Sequence, residues 1–251
     1  MIWDQLTSAQ IDALDRSITA ILPIAATEQH GAHLPLATDR MIGEHLARQV
    51  HQNIDDKVLI LPAVGVGCSD HHMDFAGTLS LDHDTFKQQV KQVIQCVIYH
   101  GFSKIMLLNS HGGNQGIGQV IVEDIGYNHP DCEIFMVSWW RLARQKLLEL
   151  NQTGFGGVGH AGEFETSLML LIAPDLVQSD KIEKGANQPD FDWAQADLLN
   201  APTVSHYRTM YQLTPNGVFG DPRAASAAKG EQITEAVVGH LTKIVQDLSS
   251  K

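Results

Sequence analysis

Three short stretches of this 251-residue chain concentrate side chains that bind metals or move protons. The first runs from Pro23 to Asp39 and contains Glu28, His30, His33 and Asp39. Glu28 and His30 stand two residues apart, and alternate residues of an extended segment point to the same side. Gly31 and Pro35 turn the chain, which lets Asp39 return to the same point. A plainer alternative makes Glu28 a surface residue, His30 a loop residue and Asp39 the N-cap of the next helix. The second stretch is Asn109-Ser110-His111-Gly112-Gly113-Asn114. A histidine followed by two glycines suits a tight turn from a strand into a helix N-terminus. The third, Gly156 to Thr166, is a glycine-rich loop that delivers His160 and Glu163, or else a flexible loop ending in a capping glutamate.

Two other chemistries fit less well. Gly154, Gly156 and Gly159 satisfy G-x-G-x-x-G, but a dinucleotide fingerprint must follow a strand, and here it follows the polar helical segment Arg141–Leu150. His111-Gly112-Gly113 resembles the oxyanion loop of lipases, yet the chain has no G-x-S-x-G elbow to supply a serine nucleophile.

The elements that must position these residues follow an alternation of short apolar runs and amphipathic segments, the βαβ signal. The expected strands are Ile18–Ile24, Val58–Pro62, Lys104–Asn109 and Glu133–Ser138. Helical spacing covers Asp39–Val50, Asp84–Tyr99, Gln115–Tyr127, Trp140–Leu150, a segment carrying Leu168, Leu171 and Ile172, and Gln232–Leu248. Asp175–Ala228 is rich in Pro, Asp, Asn and Gly and reads as an irregular excursion with a short hairpin. No linker interrupts the pattern, so residues 1–251 are expected to form one domain. Glu28, His30 and His33 follow the first strand, Ser69–His72 the second, His111–Asn114 the third and Trp139–Trp140 the fourth. In open parallel sheets ligands bind outside the carboxyl ends of the strands, so these loops converge on one rim.

Composition narrows the partners. Acidic residues outnumber basic ones 29 to 17, and a net charge of −12 disfavours nucleic acid. No apolar run approaches the roughly 18 residues of a membrane span. The acidic start Met1–Asp15 lacks the basic n-region of a signal peptide, so a cytoplasmic location is expected. Cys68, Cys96 and Cys132 are sparse and unpaired in spacing, which suggests reduced thiols rather than a disulfide frame.

Taken together the three stretches resemble the creatininase (creatinine amidohydrolase) family. The resemblance rests on E-x-H-G-x-H-L-P-x-x-x-D from Glu28, S-H-G-G-N from Ser110 and H-A-G-E-x-E-T-S from His160. Weaker matches are Gly77–Leu81, Ser138-Trp139-Trp140, Gly217-x-x-Gly220-Asp221-Pro222 and Lys229-Gly230-Glu231. It implies a three-layer α/β/α fold with a mostly parallel sheet and a homo-oligomer, a hexamer by resemblance. It also implies a binuclear metal hydrolase in which Glu28, His30, Asp39 and His111 match metal ligands, with Asp39 bridging both ions. His160 matches a catalytic histidine, and Trp140 a tryptophan of the substrate pocket.

One departure shapes the reading. Members that act on creatinine carry a tyrosine and a glutamate where this chain has Gly112 and Gly113. Other branches carry both glycines together with the glutamate at 163, so Glu163 is expected to replace the lost ligand and to act in catalysis. Glu165 is the rival, with a capping or supporting role. Mixed oxygen and nitrogen ligands suit two ions of Zn²⁺, Mn²⁺ or Fe²⁺. A hydroxide shared by the ions would attack the amide carbon, and His160 would carry the proton to the leaving nitrogen. The backbone of Gly112 and Gly113 would support the oxyanion, and His72, with His71, would contact substrate or else lie on the surface. The expected substrate is a small amide other than creatinine, a cyclic amide or a formamide. The alternatives are a deformylase of a formylamino-pyrimidine nucleotide, with Arg40, Arg208 or Arg223 on the phosphate, and a non-catalytic metal-binding assembly subunit.

Overall fold

The structure, a computed structural model, describes residues 1–188 and 190–250. Four strands form one parallel sheet: β1 (Thr19–Ile24), β2 (Val58–Ile60), β3 (Lys104–Asn109) and β4 (Glu133–Ser138), in the order β2-β1-β3-β4. The helices are α1 (Ser8–Asp12), α2 (Thr38–Ile54), α3 (His83–Tyr99), α4 (Gln115–Asn128), α5 (Trp139–Leu142), α6 (Arg144–Leu150), α7 (Glu163–Ile172), α8 (Met210–Leu213) and α9 (Ala227–Ser249).

Alternation along the strands divides the core in two. Ile21, Met106 and Leu108 face Ile42 and Leu46 of α2, Phe164 and Leu168 of α7, and Ile233 and Val237 of α9. Leu22, Ile24, Ile105 and Leu107 face Phe86, Val90 and Ile94 of α3 and Ile121 and Ile125 of α4. Helices thus cover both faces of the sheet, giving the three-layer α/β/α arrangement. This two-sided burial explains why β1 reads as a nearly unbroken apolar run rather than an alternating one. Phe86 is fully buried in the α3 layer. Phe86→Ala should therefore cost about 3–5 kcal/mol, read as a lowered denaturation midpoint, and leave metal content unchanged.

Most boundaries fall within a residue of the expected ones, but β2 stops at Ile60 and not Pro62, α2 runs past Val50 to Ile54, and α9 begins at Ala227 and not Gln232. The helical pattern expected across Trp140–Leu150 breaks at Ala143 into α5 and α6. The excursion after Asp175 forms no hairpin among the described residues: it carries α8 and short 3₁₀ turns, and Thr209 caps α8 in a reciprocal bond pair with Gln212. Register then aligns the strand ends. Ile24 pairs with Asn109 and Asn109 with Ser138, so the segments after β1, β3 and β4 leave the sheet side by side.

Candidate metal centre

The loop after β1, the start of α2, the turn after β3 and the loop before α7 meet at this rim. Asp39 is the second residue of α2, and the N-cap position belongs to Ala37, whose side chain makes no cap bond. The Asp39 carboxylate is thereby free to point inward, at the positive end of the helix dipole. Its Oδ1 lies 3.1 Å from His30 Nε2, and its Oδ2 lies 3.0 Å from His111 Nδ1. Glu28 Oε1 lies 3.3 Å from His111 Nδ1 and 3.6 Å from His160 Nδ1. All these side chains are buried except His160, which is nearly so.

Two buried carboxylate oxygens, Glu28 Oε2 and Asp39 Oδ2, have no hydrogen-bond partner. Asp39 Oδ2 stands close to His111 without the angle a hydrogen bond needs. Orphaned buried oxygens cost free energy unless a cation satisfies them. The imidazoles point the same way, because three of them donate one ring N–H to a backbone carbonyl. His30 Nδ1 donates to Glu28 O at 3.2 Å, His111 Nε2 to Cys68 O at 3.0 Å, and His160 Nε2 to Gln29 O at 2.7 Å. The opposite nitrogen of each faces the carboxylates, as metal-ligating histidines are usually held. Ligand atoms cluster as Glu28, Asp39 and His111, as His30, His160 and Glu165, and as Glu28, His72 and His160, with Asp39 between the first two groups. The donor set therefore fits divalent cations of the zinc and manganese type.

The electrostatics of the chain alone show the same demand for positive charge. Burial works against protonation of His30, yet Asp39, Glu165 and Glu28 raise it to about 9. His111 is raised well above its ordinary range against the same burial, by Glu28 and Asp39. Asp39 is held well below the carboxylate range by His30 and His111 despite its burial. Glu165 is pushed up to about 7, by burial first and then by the neighbouring Asp39 and Glu28 charges. His160 is lowered well below its ordinary value by burial and by His30, so it is neutral.

The structure moves one expected ligand. Glu163 does not join the cluster: its fully buried carboxylate faces the far side of α7. There it pairs with Lys229 and accepts from Thr153 N at 3.0 Å, Thr153 Oγ1 at 2.5 Å and Gln152 N at 3.1 Å. Lys229 also donates to Gln152 Oε1 and Ala224 O, so the ion pair clamps the ends of the loop carrying His160. Glu165, two residues on, turns to the metal side. Its Oε2 accepts from Ala161 N at 2.6 Å and stands 3.8 Å from His30 Nε2. That bond holds Ala161 at φ 53°, a left-handed conformation that costs an alanine about 1–2 kcal/mol, and so fixes the neighbouring His160.

The double glycine has two different roles. A Cβ at Gly113 would meet Cys68 O at 2.1 Å and His111 Nε2 at 2.5 Å, so this backbone admits no side chain there. A Cβ at Gly112 would meet nothing within 4 Å. Gly113→Ala should push His111 off its Cys68 carbonyl and lower zinc affinity at least about 10-fold. Gly112→Ala should leave zinc affinity unchanged, and calorimetric titration of the two variants checks the contrast.

Trp140, Gly112, His71 and His72 line a cavity of about 140 Å³ over the cluster, closed by Leu198 and Met210 from the excursion. Sequence spacing gave no sign of those last two. His72 is buried, with Nε2 3.3 Å from Glu28 Oε1. His71 stacks on His111 with ring centroids 5.7 Å apart. His33, also buried, meets Thr166 Oγ1 at 3.0 Å instead of the cluster. Each arginine considered for a phosphate already faces a carboxylate: Arg40 Glu44, Arg208 Asp190 and Arg223 Asp221. No helix among the described residues is long and apolar enough to cross a membrane.

An α/β/α sheet whose carboxyl-end loops gather buried carboxylates and imidazoles around a small cavity is an arrangement able to hold metal ions. The chain belongs to the creatininase family, whose sequence model, described as creatinine amidohydrolase, matches residues 4–245. Similar proteins include the creatinine amidohydrolase of Pseudomonas putida, 28% identical over 243 residues that cover 90% of this chain and 88% of that one. The mycofactocin precursor peptide peptidase of Mycobacterium ulcerans (strain Agy99) is 28% identical over 239 residues, covering 92% and 85%. Among solved structures, a mutant creatininase described as Zn-Zn type superposes with TM-score 0.79 at 26% identity, covering 98% of this chain and 97% of that chain.

Proposed function

We propose that this creatininase-family protein is a binuclear metal-dependent amidohydrolase that cleaves a small amide other than creatinine. The observation that carries the reading is the placement of Asp39, whose two oxygens each face a different imidazole and a different ligand group. Glu28 and His111 would hold one cation and His30 and Glu165 the other, with Asp39 shared. Cations bound there would polarise an amide carbonyl and lower the pKa of a bound water toward 7.

The side chains then divide the remaining work. His160, neutral and with Nδ1 bare, accepts the proton of the attacking water and returns it to the amide nitrogen as the C–N bond breaks. The products are a carboxylate and an amine. Trp140, Leu198 and Met210 exclude bulk water and supply an apolar wall for the substrate. The open cavity beside the cluster favours catalysis over a purely structural metal, whose coordination would be closed. Gly112 and Gly113 remove the side chains that creatinine-cleaving members carry.

The test is chelation followed by reloading with Zn²⁺ or Mn²⁺ and a screen of formamides, cyclic amides, short peptides and creatinine. Metal-restored hydrolysis of one amide, with creatinine turnover negligible beside it, is expected. A creatinine kcat of about 1–10³ s⁻¹ would overturn the substrate assignment. Hydrolysis undiminished by complete chelation would overturn the metal dependence.

A further inference from the structure

We infer that Gln29 is a positioning residue of this centre: its side-chain amide fixes His72 with the proton on Nε2, so that His72 presents an N–H and not a bare ring nitrogen to Glu28. The four polar groups of Gln29 all have partners. Its backbone N–H donates to Thr78 Oγ1 at 3.2 Å, and its carbonyl accepts from His160 Nε2 at 2.7 Å. Its side-chain Oε1 accepts from Gly31 N at 2.9 Å. A backbone N–H can only donate, so that bond settles which end of the amide is oxygen. The –NH₂ end therefore lies 2.9 Å from His72 Nδ1.

An amide nitrogen donates and cannot accept, so His72 Nδ1 must be bare and its proton must sit on Nε2. That Nε2 lies 3.3 Å from Glu28 Oε1, within ion-pair distance. His72 is thus wired differently from His30, His111 and His160, each of which donates one ring N–H to a backbone carbonyl. The same amide nitrogen passes 3.2 Å from His160 Nε2. The 2.7 Å approach of that Nε2 to Gln29 O would be repulsive without a proton between them, so His160 keeps its proton there. Gln29 has little freedom to turn away: it is buried, and Gly217 packs so closely that a Cβ would fall 2.3 Å from Gln29 Oε1.

One residue therefore sets the proton positions of two imidazoles that lie beside Glu28. This deepens the proposed metal centre, on which its effect on zinc affinity rests, but the proton positions are a property of the metal-free chain.

Long-range ¹H–¹⁵N correlation of the metal-free, ¹⁵N-labelled protein separates protonated from bare ring nitrogens, with His72→Gln and His160→Asn variants for assignment. His72 and His160 are both expected to carry the proton on Nε2 with Nδ1 bare. A His72 proton on Nδ1 overturns the inference whether or not the protein binds zinc. In Gln29→Glu an acceptor faces His72 Nδ1, so a proton should appear there and the zinc Kd should weaken about 10–100-fold at unchanged circular dichroism. A Gln29→Glu protein with Nδ1 still bare, or with unchanged zinc affinity, overturns it as well. Should that variant fail to fold, the spectrum of the unaltered chain still decides.

Discussion

Asp39→Ala should empty both metal positions and lower amide hydrolysis by at least about 10³-fold, equivalent to about 4 kcal/mol of transition-state stabilisation. The reason is geometric. Oδ2 faces His111 of its own ligand group and Oδ1 faces His30 of the other, so the residue touches both, and Oδ2 is a buried oxygen without a hydrogen bond. Removing it leaves Glu28 and His111 on one side and His30 and Glu165 on the other. Neither pair suffices for tight binding of a divalent cation, which takes three or four protein ligands in most zinc sites. His30→Ala should deplete one position only, because His30 Nε2 faces Asp39 Oδ1 and Glu165 but not Glu28. Metal-to-protein ratios of the two variants check the difference, and full metal content in Asp39→Ala would contradict the bridging role.

Two glutamates two residues apart should behave oppositely. Glu165→Gln is expected to lose one metal and most activity with the fold intact, since its carboxylate faces His30 and Ala161 at the centre. Glu163→Gln is expected to keep both metals and lose stability. Its partner Lys229 is 6% exposed and would be left charged without a counterion. Breaking a buried pair by removing one member costs about 3–5 kcal/mol. Lys229→Met in the Glu163→Gln background should recover part of that loss, because the stranded charge goes with it. Denaturant midpoints and metal ratios measured on the same samples separate the two residues. Metal loss in Glu163→Gln with retention in Glu165→Gln would reverse the assignment.

The choice between these glutamates marks where the sequence stopped being informative. The strands were readable because a parallel sheet covered on both faces needs continuous apolar runs, and β3 and β4 match their expected bounds. The stripe of Phe86, Val90 and Ile94 likewise announced α3. Glu163 and Glu165, by contrast, both precede an apolar helix face and differ only in the rotation of its first turn. That rotation is fixed by Lys229, 66 residues away in the chain. The break at Ala143 and the approach of Leu198 and Met210 to the cavity are also tertiary effects without a local signal. The role of Gln29 was equally hidden, because its partners His72 and His160 lie 43 and 131 residues distant. Glu28, His30, Asp39 and His111 were visible as a group because each falls just after a strand or at the start of the next helix.

The central claim is that this rim holds two cations around Asp39. Anomalous diffraction at the zinc edge from zinc-loaded crystals tests it most directly. Two peaks about 3.5–4 Å apart are expected, one beside Glu28 and His111, the other beside His30 and Glu165, with an Asp39 oxygen at each. A single peak, or a peak beside Glu163, would contradict it.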